Sequence, residues 1–279
     1  MNANIYQIIV LAAYGNAYLS ENYCAHNFSD HSAFKYCKFV KFVDLVKSDN
    51  KYSEINFAET PISWFEQLKS SGVMQLRVYH VPINNNGKKA DRKSAIFIGG
   101  DGRWLLEAVK ETHSDFWESR LEVGNTPEDN LLRFTYGRIH KNEYNPERHY
   151  PNLPGINDIK QKLDSQLKKV SEFAYKNGHA NFGSWFDRGI KALSEKPDRN
   201  INGGEIFPEN YAPEECSQLM HACLEAWVFG GMGTWNDISF DDKTTQLKYE
   251  LLSDKLFELI KISLLIASNP WPRPAVTKE

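Results

Sequence analysis

The sequence predicts an α+β fold, in which a mainly antiparallel β-sheet with a short helix precedes a bundle of about four helices. Up to residue 150, short runs of aromatic and β-branched residues are bounded by turn residues, which is typical of strands. Beyond Pro151, apolar residues recur every three or four positions, which is typical of amphipathic helices. We therefore divide the chain into a mainly β region at residues 1–150, which begins with a helix, and an α-helical region at residues 151–279. This division leaves open whether the two regions share one core.

The N-terminal segment is apolar from Ile8 to Ala13, and no Lys or Arg precedes Lys35. A secretory signal needs a basic start, and this apolar run, between Gln7 and Asn16, is too short to cross a bilayer. The segment therefore predicts a buried first helix.

The remaining elements of the β region follow from local patterns. Residues 34–46 alternate in part and are rich in aromatic and β-branched residues, which predicts a strand. A short helix is predicted after Thr60, which serves as N-cap, with Pro61 at the first helical position and Gly72 as the stop. Further strands are predicted at residues 73–82, 94–109, 115–124 and 131–140. An antiparallel meander is the simplest assembly of these strands.

Four helices are predicted in the α-helical region from their apolar periodicity. They cover residues 156–178, 182–193, 213–230 and 247–267. The last is apolar on nearly every side after Leu256, so we expect it to be central, with Asp241 or Asp242 as its N-cap. The polar stretch at residues 140–155 is the expected linker between the two regions.

The composition is that of a globular protein without a strongly charged surface. The 279 residues are 41% hydrophobic, and the formal net charge is −3. This charge does not favour nucleic acid or an anionic membrane, and it mildly favours a protein partner with a basic surface. The four cysteines form no CxxC pair, and Cys216 and Cys223 lie on one predicted helix, as buried thiols do in a reducing compartment. We therefore expect a cytoplasmic location.

The strongest local match to a catalytic motif is the GGDG turn formed by Gly99, Gly100, Asp101 and Gly102, which follows an apolar run. It resembles the GGDG signature of the NAD kinase and diacylglycerol kinase families. The resemblance covers only these residues and implies nucleotide-dependent phosphoryl transfer with Asp101 as the catalytic group. Arg103 stands where those families usually carry Thr. The interpretation that we favour is a hairpin, since Asp-Gly between apolar runs is typical of a type I′ turn.

The segment WVFGGMGTWNDISFDD, residues 227–242, contains the spacing that opens a calcium loop. Asp237, Ser239 and Asp241 alternate as such ligands do, but the sixth and twelfth positions are Asp242 and Lys248 instead of Gly and Glu. We therefore predict no metal site here and no cofactor.

Two interpretations remain for this segment. It is either a helix end and a turn, or a ligand-binding loop that presents Trp235, Asn236 and Asp237. We favour the turn, in which Trp235 fills an apolar gap beside the helix face that carries Cys223 and Trp227.

Other catalytic signatures are weak. His221 and Glu225 have the i, i+4 spacing of a metal pair, but no third ligand accompanies them in the sequence motif. No Ser or Cys stands in a recognisable nucleophile motif. The sequence thus leaves enzymatic activity open and favours a protein without it.

Aromatic residues make up 13% of the chain, and some are grouped with arginines. Tyr136, Tyr144 and Tyr150 lie in or beside the polar linker together with Arg138 and Arg148. Tyr and Arg are enriched in protein interfaces, so these residues are binding candidates. The interpretation that we favour is a solvated loop with a few anchoring tyrosines, because the composition is only a statistical enrichment.

These observations lead us to expect a non-catalytic intracellular protein-binding module. It would be of the kind that neutralises a bacterial toxin, as immunity proteins do, or regulates another protein. Two alternatives stay open. One is the phosphoryl-transfer enzyme at the GGDG turn, and the other is a sensor of a small ligand that uses the aromatic residues.

Overall fold

The computed structural model describes residues 1–20, 28–48, 51–82, 92, 102–124, 131–144, 153–197, 206–230 and 233–272. In these residues a six-stranded sheet and six α-helices form the α+β fold that the sequence predicts. The strands are β1 (Cys37–Ser48), β2 (Lys51–Ala58), β3 (Gln75–Val81), β4 (Arg103–Val109), β5 (His113–Val123) and β6 (Leu132–Tyr144). The helices are α1 (Ala3–Leu19), α2 (Pro61–Ser70), α3 (Ile156–Lys176), α4 (Ala180–Ala192), α5 (Glu214–Glu225) and α6 (Lys243–Ser268).

The sheet order is β2-β1-β6-β5-β4-β3. Four of its strand pairs are antiparallel, whereas β1 and β6 run parallel, with Val40 opposite Phe134 and Asp44 opposite Arg138. The expected antiparallel meander is therefore wrong at this pair. After β2 the chain passes through α2 to β3 at the opposite edge, and β4, β5 and β6 then return it to β1. A parallel pair needs such a long connection, since a tight turn joins only antiparallel strands.

Helix α1 is buried, as the sequence predicts. Ile8, Ile9 and Leu11 have no exposed surface, and a Cβ atom at Gly15 would lie 2.4 Å from Leu76 Cδ1 of β3. Glycine at this position thus allows the helix to approach the sheet closely. In the described residues, no helix is long and apolar enough to cross a membrane.

Two side-chain amides cover the outer edge of β3. Asn16 Oδ1 accepts from Leu76 N at 2.6 Å, and Asn16 Nδ2 donates to Leu76 O at 2.8 Å. Asn269, at the end of α6, makes the same pair of bonds to Val78, each at 2.9 Å. These amides satisfy backbone groups that an edge strand otherwise offers to another chain.

Several helix ends agree with their sequence signals. Thr60 caps α2 through Ser63 N, and Gly72 follows the helix with φ of +79°. Asp242 caps α6 through Thr245 N. Helix α5 ends at Glu225, before the expected stop at Gly230, and residues 227–230 are not helical. This places Val228 in the core, where its carbonyl accepts from Trp235 N at 3.2 Å.

One hydrophobic cluster joins α1, the inner face of the sheet and the C-terminal helices. Helix α6 packs against α3 and α5, and its C-terminal end reaches β3. Burial of its second half agrees with the expectation that this helix is central: Leu256, Ile260 and Leu264 have no exposed surface.

Candidate functional site

The structure places the interface candidates that the sequence grouped together in different environments, some buried and some exposed. Tyr136, Arg138 and Tyr144 all lie on β6, which continues to Tyr144, so the expected linker begins later than residue 140. Arg148 and Tyr150 lie outside the described residues.

Tyr136 has no exposed surface, and its hydroxyl donates to Gln7 Oε1 at 2.9 Å. Burial raises the pKa of Tyr136 well above its usual value. Tyr136 is therefore a core residue and is not available to a partner in this conformation.

Arg138 is also largely buried, in a network of charges. Its Nη2 donates to Asp44 Oδ2 at 2.6 Å, and its Nη1 donates to Asp115 Oδ2 at 3.1 Å. The guanidinium lies 4.7 Å from the Phe57 ring centroid and 5.1 Å from that of Trp117. Carboxylates and aromatic faces thus hold Arg138 in a fixed orientation.

Asp115 has no exposed surface, and its carboxylate has three polar partners. Besides Arg138, Lys110 Nζ lies 3.1 Å away, and Asn142 N donates to it at 2.7 Å. Burial by itself would raise the pKa of Asp115, but the Asn142 hydrogen bond and the two cations outweigh it and lower the pKa. Asn142 has a φ of +52°, and the β5–β6 register shifts beside Phe116, so a β-bulge makes this contact possible.

Beyond this network, the pairing between β1 and β6 stops in the described residues. Pairing of β1 with β6 ends at Asp44 and Arg138, but β1 continues with β2 to Ser48 and β6 continues with β5 to Tyr144. Residues 45–48 and 139–144 thus form two arms that extend in the same direction. We call the region between these two arms, where the described residues of β1 and β6 do not pair, the fork. The pair formed by Asp44 and Arg138 closes its base.

The arms of the fork carry exposed side chains. Val46 is 42% exposed and Tyr144 is 64% exposed. Of the binding candidates on β6, Tyr144 is thus the one that the structure places on an accessible surface. The fork could not be predicted from the sequence, because it depends on the parallel pairing of strands that lie far apart in the chain.

Comparison with known proteins gives no match: no family model, no curated protein and no solved structure corresponds to this chain. The geometry of the described residues is therefore the basis for a functional proposal.

The second group of candidates surrounds Trp235, which has no exposed surface. Its indole N–H donates to Ser253 Oγ at 2.7 Å. The surrounding rings come from α3, α4, α6 and the residue before α4: Phe173, His179, Phe182, Phe186 and Tyr249. The expected neighbour Trp227 packs instead against Phe229 and Phe257, because the chain leaves α5 before reaching the turn. Trp235 thus fills the core, as the favoured interpretation requires, but against different helices.

Asp237 and Asn236 also hold this turn together. Asp237 Oδ2 accepts from Gly233 N at 2.6 Å and from Thr234 N at 3.2 Å, which completes a capping box. Asn236 Oδ1 accepts from Arg92 Nη1 at 2.9 Å. These contacts give both residues a structural role.

Arg92 was not expected from the sequence. Its side chain is 2% exposed, its Nε lies 2.9 Å from Asp254 Oδ1, and its guanidinium lies 4.8 Å from the centroid of the Tyr249 ring. Arg92 is therefore anchored to α6 through Asp254 and Tyr249. No local pattern reveals this role, since its partners lie more than 140 residues away in the sequence.

The GGDG turn is described only at its last residue, and Asp101 lies outside the described residues. Gly102 has a φ of +129°, and a Cβ there would lie 2.6 Å from Val81 O, so only glycine fits. Along Leu105–Val109 the two neighbours of β4 are β3 and β5. The predicted hairpin depends on residues 94–101, which lie outside the described residues, so it stays a prediction.

The last group of candidates consists of the possible metal ligand Glu225 and the two cysteines predicted to be buried. Glu225 Oε2 accepts from Arg188 Nε at 2.7 Å, and the described residues contain no group of three potential metal ligands. Cys216 and Cys223 are buried free thiols, as predicted. Burial raises the pKa of Cys216 to about 11 and that of Cys223 further.

Proposed function

We propose that this chain is a non-catalytic protein-binding module that takes an extended segment of a partner as an additional strand in the fork. The pairing pattern carries this proposal. Within the described residues, 45–48 pair with β2 alone and 139–144 pair with β5 alone. No described strand pairs with the backbone groups of these arms on the side that faces the fork. Strand addition uses such groups for affinity.

The fork is better suited to an added strand than either outer edge of the sheet. At the β3 edge, Asn16 and Asn269 already occupy the backbone groups of Leu76 and Val78. The β2 edge offers hydrogen bonds on one side only. The fork offers two strands, which allows an inserted segment to pair on both sides.

The size of the arms defines the length of the segment. Four to six residues in extended conformation span about 13–20 Å. Val46 and Tyr144 project from the arms as exposed apolar contacts, and alternate side chains of the partner would meet them. Arg138 fixes the end of the fork, because both of its carboxylate partners come from neighbouring strands.

A binding role agrees with the chemistry of the described thiols. Burial raises the pKa of Cys37, Cys216 and Cys223, so these thiols are protonated at neutral pH and are poor nucleophiles. The formal net charge of −3 favours a partner with a net positive charge.

The test uses extended peptides, because the partner is not identified. A displayed library of random peptides is selected against the protein, and the affinity of selected peptides is measured by fluorescence anisotropy. Hydrogen exchange then shows which backbone amides the peptide protects. We expect slower exchange at residues 45–48 and 139–144 when peptide is bound.

A matched pair of double variants decides where the peptide binds. Val46→Lys with Tyr144→Lys places charges on both arms and should weaken binding by at least about tenfold. Leu247→Lys with Leu251→Lys makes the same change at two exposed leucines of α6 and should leave the affinity unchanged. Protection outside the fork, or a selection that yields no binding peptide, would contradict the proposal.

A further inference from the structure

Two adjoining clefts lie around Tyr211, away from the fork. The larger, of about 580 Å³, opens between the end of α1, the start of β3 and residues 208–211. The smaller, of about 270 Å³, lies between residues 206–212 and α5, and it includes Ser217 and His221 in its lining. Pro208, Asn210 and Tyr211 line both clefts. The larger volume is within the range of small-molecule sites.

Tyr211 carries a hydrogen-bond donor with no acceptor assigned among the described residues. The side chain is 8% exposed, and its oxygen accepts from Asn16 Nδ2 at 3.0 Å. Since a phenolic hydroxyl both donates and accepts, this bond leaves its hydrogen available. Asn16 is held in turn by the backbone of Leu76, so the orientation of the amide is fixed. A ligand that accepts from this hydroxyl would supply the second hydrogen bond that the hydroxyl can make.

The hydroxyl remains a donor at neutral pH. Burial raises the pKa of Tyr211 to about 12, although the Asn16 hydrogen bond and the charge of Arg77 act in the opposite direction. A ligand atom that approaches this oxygen from the cleft therefore meets an O–H group and not a phenolate.

The larger cleft also has apolar walls. Met74 and Trp271 are each 46% exposed, and both line it. The Trp271 carbonyl accepts from Arg77 Nη1 at 2.9 Å, and the next carbonyl, of Pro272, accepts from Gln75 Nε2 at 3.3 Å. These bonds hold the backbone of Trp271 and Pro272 against β3. The partly exposed Trp271 indole offers a flat surface on which another ring can stack.

Asn210 supplies a further sign of a functional site. Its φ of +58° is uncommon for a residue other than glycine, and the residue lines both clefts. Backbone strain of this kind is concentrated at ligand sites.

We propose that the larger cleft binds a small, flat, uncharged organic molecule whose carbonyl oxygen accepts a hydrogen bond from Tyr211 and whose ring packs against Trp271 and Met74. The lining supports an uncharged ligand, because its polar side chains are mainly amides and hydroxyls. This site is separate from the fork and does not depend on strand addition there.

The test compares two probes of nearly the same shape, acetophenone and ethylbenzene, of which only the first has a carbonyl group. Binding is followed by ¹H–¹⁵N NMR, in which the Trp271 indole N–H and the Leu76 amide report on the cleft. We expect acetophenone to shift these signals with a millimolar dissociation constant and ethylbenzene to bind about tenfold more weakly.

Variants separate the hydrogen bond from the apolar contact. Tyr211→Phe should weaken acetophenone binding about tenfold and abolish the preference over ethylbenzene. Trp271→Ala should weaken both probes, whereas Trp185→Ala, at a 40% exposed tryptophan of α4, should change neither. Circular dichroism confirms that each variant folds. Equal binding of the two probes to wild type, an unchanged affinity in Tyr211→Phe, or no binding of acetophenone in the millimolar range would overturn the proposal.

Discussion

Replacement of Trp235 by alanine tests whether the glycine-rich segment is a structural turn. The indole has no exposed surface, and its ring centroid lies 5.2 Å from those of Phe182 and Phe186 and 5.3 Å from that of Tyr249. Truncation therefore removes the largest side chain from the place where α3, α4 and α6 meet. It also removes the N–H donor that bonds Ser253.

The expected loss of unfolding free energy is about 3–5 kcal/mol, the range for Trp or Phe truncated to Ala in a core. Most of this comes from lost burial and from the cavity left behind. The hydrogen bond contributes about 1 kcal/mol, and Ser253 keeps its own bond to the Tyr249 carbonyl. Trp235→Phe should therefore recover part of the loss.

Urea denaturation followed by circular dichroism measures these differences, since a Trp substitution alters the fluorescence signal. Trp185→Ala is the matched control, because that indole is 40% exposed, and its truncation should cost less than about 1 kcal/mol. If Trp235→Ala unfolds within about 0.5 kcal/mol of wild type, the indole does not stabilise the core and the turn interpretation fails.

Two further predictions concern buried charges. Arg92→Met removes a charged donor beside Tyr249 and should lower the unfolding free energy in urea by about 1.5–3 kcal/mol. Lys255→Met, at an exposed ion pair, is the control and should cost less than about 1 kcal/mol. Equal losses in the two variants would contradict an anchoring role for Arg92. The folded pKa of Asp115 is lowered, so its stabilisation is present above the unfolded pKa of about 3.9 and is lost as pH falls through the folded value. Unfolding at pH 7 and pH 3 should therefore show a smaller acid loss for Asp115→Asn than for wild type, and an equal loss would refute this assignment.

The sequence identified the elements whose signals are local. The start of α2 follows from Thr60 and Pro61, and its end follows from Gly72. Each signal lies within a few residues of the backbone group that it satisfies, so it does not depend on the rest of the chain. The same reasoning limited the cap of α6 to Asp241 or Asp242, and the structure shows that it is Asp242.

Tyr136 shows where composition alone misleads. Its type and its arginine neighbours suggested an interface, yet it shares strand parity with the buried Phe134 and lies opposite Phe42 of β1. The period of two along β6 was a signal that could have placed it in the core. Arg138 shares the same parity, which accounts for its burial beside Trp117.

The sequence by itself thus indicated the six helices, the strands that correspond to β1, β3, β4, β5 and β6, and the burial of α1 and Trp235, but it did not predict β2 at Lys51–Ala58. Tertiary structure alone decided that β1 lies parallel to β6, which creates the fork, and that Arg92 reaches Asp254 over 162 residues. It also decided that Asn269 covers the β3 edge 191 residues away, and that Asn16 donates to the Tyr211 hydroxyl beside a cleft. The physical reason is that caps and periodicity act within one or two turns of backbone. Contacts between distant residues form only when the packed core fixes which edges and helix ends meet.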